Sequence, residues 1–144
     1  MTETLTGKIS QIIGPVVDVA FGQDSKLPDI YDALEVKNKD GQIIVLECQQ
    51  DVGENTVRTI AMDSTDGLSR GLPVTSTGKR ISMPAGDDVK GRLFNVIGNP
   101  IDGLGEIADI EGRRALELQA PNVVQRKSAH EPLMTGLKSI DSLT

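Results

Sequence analysis

Apolar and polar residues alternate with a period of two through most of the first 84 residues. That period marks strands with one buried face, because successive side chains in a strand point to opposite sides. Lys8-Ile-Ser-Gln-Ile-Ile13 is followed by Gly14-Pro15, a turn or kink, and then by Val16-Val-Asp-Val-Ala-Phe21. In the second run Val17, Val19 and Phe21 share one face, and Asp18 and Ala20 share the other. Ala33–Lys37 and Gln42–Gln49 flank the turn sequence Asn38-Lys-Asp-Gly41, and Asp-Gly between two such runs is a strong hairpin signal. Thr56–Met62 predicts another strand, with a turn at Thr65-Asp-Gly67, while Pro73-Val-Thr75 and Arg80–Met83 predict shorter ones. About six short strands separated by turns define a small sandwich or barrel. No proline or charge device protects an edge, so closure is the expected solution. The expectation is an all-β domain, a small six-stranded closed barrel, over residues 1–82.

The pattern changes at Pro84-Ala-Gly86. Asp87 or Asp88 is placed to cap a helix, and Val89, Leu93, Val96 and Ile97 follow helical spacing up to the breakers Gly98-Asn-Pro-Ile-Asp-Gly103. Beyond Leu104 the chain is polar and has no sustained period. Residues 83–144 therefore predict a short helix and an extended connector, ending in an amphipathic piece at Leu133, Leu137, Ile140 and Leu143. A stretch of that kind is too long to be a loop inside a finished domain. It is expected to lead into an absent α/β domain and to lack a partner surface in the isolated chain.

Composition narrows the function classes. The chain has 15 basic and 21 acidic residues, a formal charge of −6, and only Phe21, Phe94 and Tyr31 as aromatics. Nucleic-acid binding wants clustered basic residues and stacking platforms, so this balance argues against it. No run approaches the roughly 20 apolar residues of a membrane span, and the start lacks the apolar stretch of a secretion signal. A core without many aromatics must be aliphatic. A barrel of this size buries roughly 60% of its unfolded surface and gains from docking onto neighbours.

Candidate chemistry is sparse. A phosphate loop needs Gly-x-x-x-x-Gly-Lys-Ser/Thr, so that backbone N–H groups and a lysine surround the phosphates. Gly98–Gly103 has the glycine spacing, but Leu104 and Gly105 stand where the lysine and hydroxyl belong. Gly78-Lys79-Arg80 lacks the earlier glycine and the hydroxyl. The glycines read as turns. Asp87-Asp88 reads as a helix start more readily than as a metal pair, since a hard cation wants about six oxygens. Ser128, His130 and Glu131 have the residue types of a hydrolase triad, yet near neighbours on an extended segment point apart. Cys48 alternates with Leu46 and Ile44 and reads as a buried strand thiol. The basic pairs Lys79-Arg80, Arg113-Arg114 and Arg126-Lys127 are dispersed and suit interface salt bridges. No catalytic, cofactor-binding or metal residue is assigned.

Five stretches resemble the amino-terminal part of the β subunit of the F-type ATP synthase family. They are Gly7–Val19, Leu27–Val36, Gly53–Met62, Thr65–Gly71 and Gly91–Gly98 with Pro100-Ile-Asp102. They occur in order and cover residues 1 to about 103. Three later stretches, Arg113–Pro121, Arg126–Pro132 and Thr135–Leu143, are instead similar to the connector of the α subunit. The resemblance implies a six-stranded barrel that joins a ring of alternating α and β subunits. It implies a parent complex that couples proton flow to ATP synthesis through a central stalk, on the cytoplasmic face of a bacterial inner membrane. Such a chain meets the membrane only through the complex. Mg-ATP or ADP would bind in the next domain of the parent, so the resemblance gives this segment no cofactor and no catalytic residue. It also implies that the chain stops just short of the phosphate loop. A free-standing barrel that binds a small ligand or peptide is the alternative, and a nucleic-acid-binding barrel is a third.

Overall fold

The computed structural model describes residues 5–23, 25–107, 112–128 and 133–143. Six antiparallel strands close into a barrel: β1 Thr6–Ile13, β2 Val16–Ala20, β3 Asp32–Lys37, β4 Ile43–Gly53, β5 Thr56–Ala61 and β6 Pro73–Arg80. Around the ring the order is β1-β2-β5-β4-β3-β6, with β5 inserted between β2 and β4 and the circle completed by β6 against β1. Closure gives every strand two partners and removes the exposed edges.

The alternation read from the sequence sorts side chains into lumen and exterior. Val17, Val19, Leu34, Val36, Ile44, Leu46, Cys48, Val57 and Val74 are buried in one cluster, together with Ile9 and Phe21. Their neighbours on the same strands point outward. Asp18 is a partial exception. It lies on the outer face as expected, but it is buried, because Arg58 opposite it on β5 folds over it with two hydrogen bonds of 2.9 and 3.0 Å.

Simple alternation fails at the bulges that bend the strands. β1 carries an irregularity between Ile9 and Gln11, and β4 has two, between Cys48 and Gln50 and between Asp51 and Gly53. A bulge adds a residue to one strand, increasing local twist and letting a short sheet curl shut. The Ser10 hydroxyl serves the first of these by donating to the carbonyl of Asp18 at 3.0 Å. Gly7 permits the close approach of β1 to β2: a Cβ there would lie 2.8 Å from Val19 Cγ1 and 2.9 Å from the carbonyl oxygen of Ala20.

The predicted turns are present. Asn38 holds the β3–β4 turn, its Oδ1 accepting from the amides of Asp40 and Gln42, with Gly41 at φ 85. Two elements differ from expectation. β6 runs on to Arg80 rather than stopping at Thr75, because pairing with β3 carries a polar sequence that no local pattern marks. The helix expected from Asp87 towards Ile97 is a single 3-10 turn at Asp87–Val89. Its start is Gly86, no side chain caps it, and Asp87 instead pairs with Lys90 at 2.8 Å. Gly91 then takes φ 73, and the amide of Leu93 turns to the Asp102 carboxylate. The apolar spacing was coincidental, since Leu93 and Val96 are exposed.

After the barrel, β7 Ser82–Met83 pairs with β8 Arg114–Ala115 in a separate two-stranded sheet. Part of the connector thus folds back onto the chain leaving the barrel and does have a partner. The far end carries one helical turn, α1 Lys138–Asp141. Asp141 accepts from the hydroxyl and amide of Thr135 and from the amide of Gly136, and these bonds hold its carboxyl below the usual range. Leu133, Leu137 and Leu143 of the predicted amphipathic piece face solvent.

Candidate functional site

The barrel lumen offers no reactive constellation among the described residues. Its polar members are committed to the scaffold: Thr59 is fully buried and donates to the carbonyl of Val17 at 2.6 Å. Cys48 is 1% exposed, as its alternation with Leu46 implied. Burial, with Asp32 and Asp51 nearby, pushes its thiol up to about 11, which suits a packing group rather than a nucleophile.

The exterior carries three ion pairs among the described residues, Asp18–Arg58, Asp87–Lys90 and Asp102–Arg92. Asp87 and Asp88 are not brought to other acids, and no group of three His, Cys, Asp or Glu among the described residues could hold a metal ion. Ser128 is exposed, while His130 and Glu131 lie outside the described residues.

Residues Gly98–Gly103 form a turn rather than a phosphate cradle. The amide of Asn95 bonds to the carbonyl of Asn99, Phe94 bridges Pro100, and the amide of Ile101 bonds to Leu93. The place where backbone N–H groups converge is filled by the chain itself. Asp102 accepts from the amides of Leu93 and Leu104 and from Arg92 through two donors. The Arg92 guanidinium, with those amides, holds the Asp102 carboxyl well below the usual carboxylate range. A phosphate would have to displace a bound carboxylate and would find no lysine, so these residues do not fit a nucleotide.

Two features escaped the sequence reading. Arg113 is not an interface cation: it donates to the hydroxyl and carbonyl oxygen of Ser82 and to the carbonyls of Ile97 and Gly98. Arg80 donates to the carbonyl of Glu117 and lies 5.7 Å above the ring of Tyr31, which holds the unusual φ of 72 for an aromatic residue. Only the glycine at position 98 hinted at either contact, since a Cβ there would lie 2.5 Å from Arg113 Nη2.

The remaining candidate for function is surface. Ile13 opposes Val16 and Val16 opposes Ile60 across β1, β2 and β5, so all three share the outer wall. Ile13 is 55% and Ile60 38% exposed, making an apolar strip on this part of the outer wall. Such strips are a common mark of contact surfaces. At Glu47, on the rim of this strip opposite Ile60, desolvation and the nearby Glu117 raise the carboxyl pKa.

The strands thus make a closed aliphatic barrel whose buried polar side chains, among the described residues, are hydrogen-bonded and whose outer wall is partly apolar. Residues 9–78 match the ATP synthase alpha/beta family, beta-barrel domain. This part of the chain is therefore a barrel domain of that family, and the match covers almost the whole strand cycle. Among the described residues no helix is long and apolar enough to cross a membrane.

Proposed function

We propose that the chain is the amino-terminal barrel segment of a β-type ATP synthase subunit and acts as an assembly module of the catalytic hexamer. The observation that carries this reading is the family match over the closed barrel. The strip at Ile13, Val16 and Ile60 supports it, because a ring of barrels needs wall-to-wall contact. Residues 1–82 are read as the barrel domain and residues 83–144 as the start of a nucleotide-binding domain, with an α-like connector. In the parent complex the neighbours are α and β subunits, with the central stalk and further ATP synthase subunits beyond them. The parent drives ATP synthesis with proton flow and is held peripherally at a membrane.

On this reading the segment neither binds nor hydrolyses Mg-ATP by itself, since no stretch of the sequence has the full phosphate-loop pattern and the Gly98–Gly103 turn is closed by Asp102. Titration calorimetry with Mg-ATP on the 144-residue chain tests this. No heat of binding is expected, and micromolar affinity would overturn the assignment. Native mass spectrometry with an α-type partner subunit tests assembly, and Ile60→Asp should weaken any complex formed while leaving the barrel folded.

A further inference from the structure

The chain leaving the barrel is organised around one side chain. Arg113 sits where three segments meet: β7, the turn ending at Gly98, and β8. Its donors reach Ser82 Oγ at 3.1 Å, the Ser82 carbonyl at 2.6 Å and the Ile97 carbonyl at 3.2 Å. The carbonyl of Gly98 is a weaker partner at 3.4 Å. Guanidinium is suited to this task because its fixed fork serves several acceptors at once. Around it the chain satisfies itself: Ser82 pairs with Ala115, Met83 with Arg114, and Arg92 with Asp102.

Its ties to the barrel are few by contrast. The amide of Leu116 bonds to the carbonyl of Ile81 at 3.0 Å, and Arg80 bonds to Glu117 at 3.0 Å. Clefts of about 400 and about 350 Å³, both lined by Ile43, Val45 and Ile97, lie between this segment and the barrel, so the two surfaces do not pack flush. Among the described residues from 82 to 118, Gly98 alone is fully buried. Segments with little buried apolar area sit at the low end of local stability. The barrel needs nothing from them, because its strands already pair in a complete circle.

We propose that residues 82–107 and 112–118 form a collar keyed by Arg113, which opens and closes as a unit against a barrel that stays folded. Arg113 thereby sets the direction in which the chain leaves the barrel, and its release frees that direction. The proposal does not depend on the subunit assignment.

Hydrogen exchange on the full chain, read residue by residue, tests it. In the unmodified chain the amides of Gly98, Ile101 and Leu116 should exchange earlier than those of Leu46 and Val57 in the barrel. Arg113→Ala should accelerate the three collar amides together by at least about tenfold, the effect of losing a few net hydrogen bonds. Leu46 and Val57 should be unaffected. Arg113→Lys, which cannot serve several acceptors, should fall between. Gly98→Ala should reproduce Arg113→Ala, since its Cβ would lie 2.5 Å from Arg113 Nη2 and 2.7 Å from the Ser82 carbonyl oxygen. Unchanged collar amides in both variants, or barrel amides that accelerate in parallel, would overturn the proposal.

Discussion

Adjacent isoleucines on β4 offer a controlled perturbation of the barrel. Ile44 points into the lumen and is 1% exposed, while Ile43 points outward and is 58% exposed. Truncating either to alanine removes the same atoms from the same strand, so differences in strand propensity largely cancel. At Ile44 the lost transfer free energy is about 0.8 kcal/mol per methylene-sized group, or about 2.4 kcal/mol for three. The lumen is closed and its other walls are fixed by hydrogen bonding, so part of the vacated volume persists as a cavity. That adds about 1 kcal/mol, for a total near 3.5 kcal/mol, inside the usual range of 2–5 kcal/mol. Ile43 has already left more than half its surface in water and borders an open cleft, so its truncation should cost about 1 kcal/mol. For a domain of this size each kcal/mol moves Tm by about 4–8 °C. Ile44→Ala should therefore lower Tm by about 14–28 °C, and Ile43→Ala by about 4–8 °C. Urea unfolding followed by far-ultraviolet circular dichroism measures both, provided the m-value is unchanged. Equal losses at the two positions, or a loss under about 1 kcal/mol at Ile44, would refute the assignment of faces on β4.

Two further outcomes are expected. Cys48 should resist thiol reagents at pH 8 in the native chain and react stoichiometrically in denaturant, because its thiol titrates near 11 and is 1% exposed. Rapid native labelling would place it elsewhere. The Asp102 carboxyl is held below an ordinary aspartate, so its stabilisation is present above the unfolded value of about 3.9 and is lost as pH falls through the lower folded value. Carboxyl carbon NMR should find it still ionised at a pH below the ordinary aspartate value of about 3.9, and Arg92→Ala should raise the pH at which it titrates.

How far the site was readable depended on distance along the chain. The Asn38–Gly41 turn, the burial of Cys48 and the turn role of Gly98 and Gly103 rest on neighbours within a few residues. Arg113 meets Ser82 across 31 residues, and Arg92 meets Asp102 across 10. Nothing local marks an arginine that will bond to carbonyl oxygens rather than to a carboxylate. The helix expected after Asp87 was misread for a related reason. Val89, Leu93, Val96 and Ile97 have helical spacing, but the same residues bend back on themselves once the Asp102 carboxylate takes the Leu93 amide.

The sequence by itself determined which residues of β2, β4 and β5 face inward. Period-two alternation is a local property, and a one-residue slip would put Val17, Leu46 and Val57 into water. It also carried a family likeness in its ordered stretches, which a match over residues 9–78 bears out for the barrel part at the level of the alpha/beta family. The tertiary structure alone decided the order of strands around the ring, with β5 between β2 and β4. It decided too that the polar run Ser76–Lys79 continues the strand, because β3 supplies the hydrogen bonds that its own composition does not request. The collar belongs to the same class. Its parts are unremarkable as sequence, and they become a unit only where the folded chain brings Arg113 to the carbonyls of three separate residues.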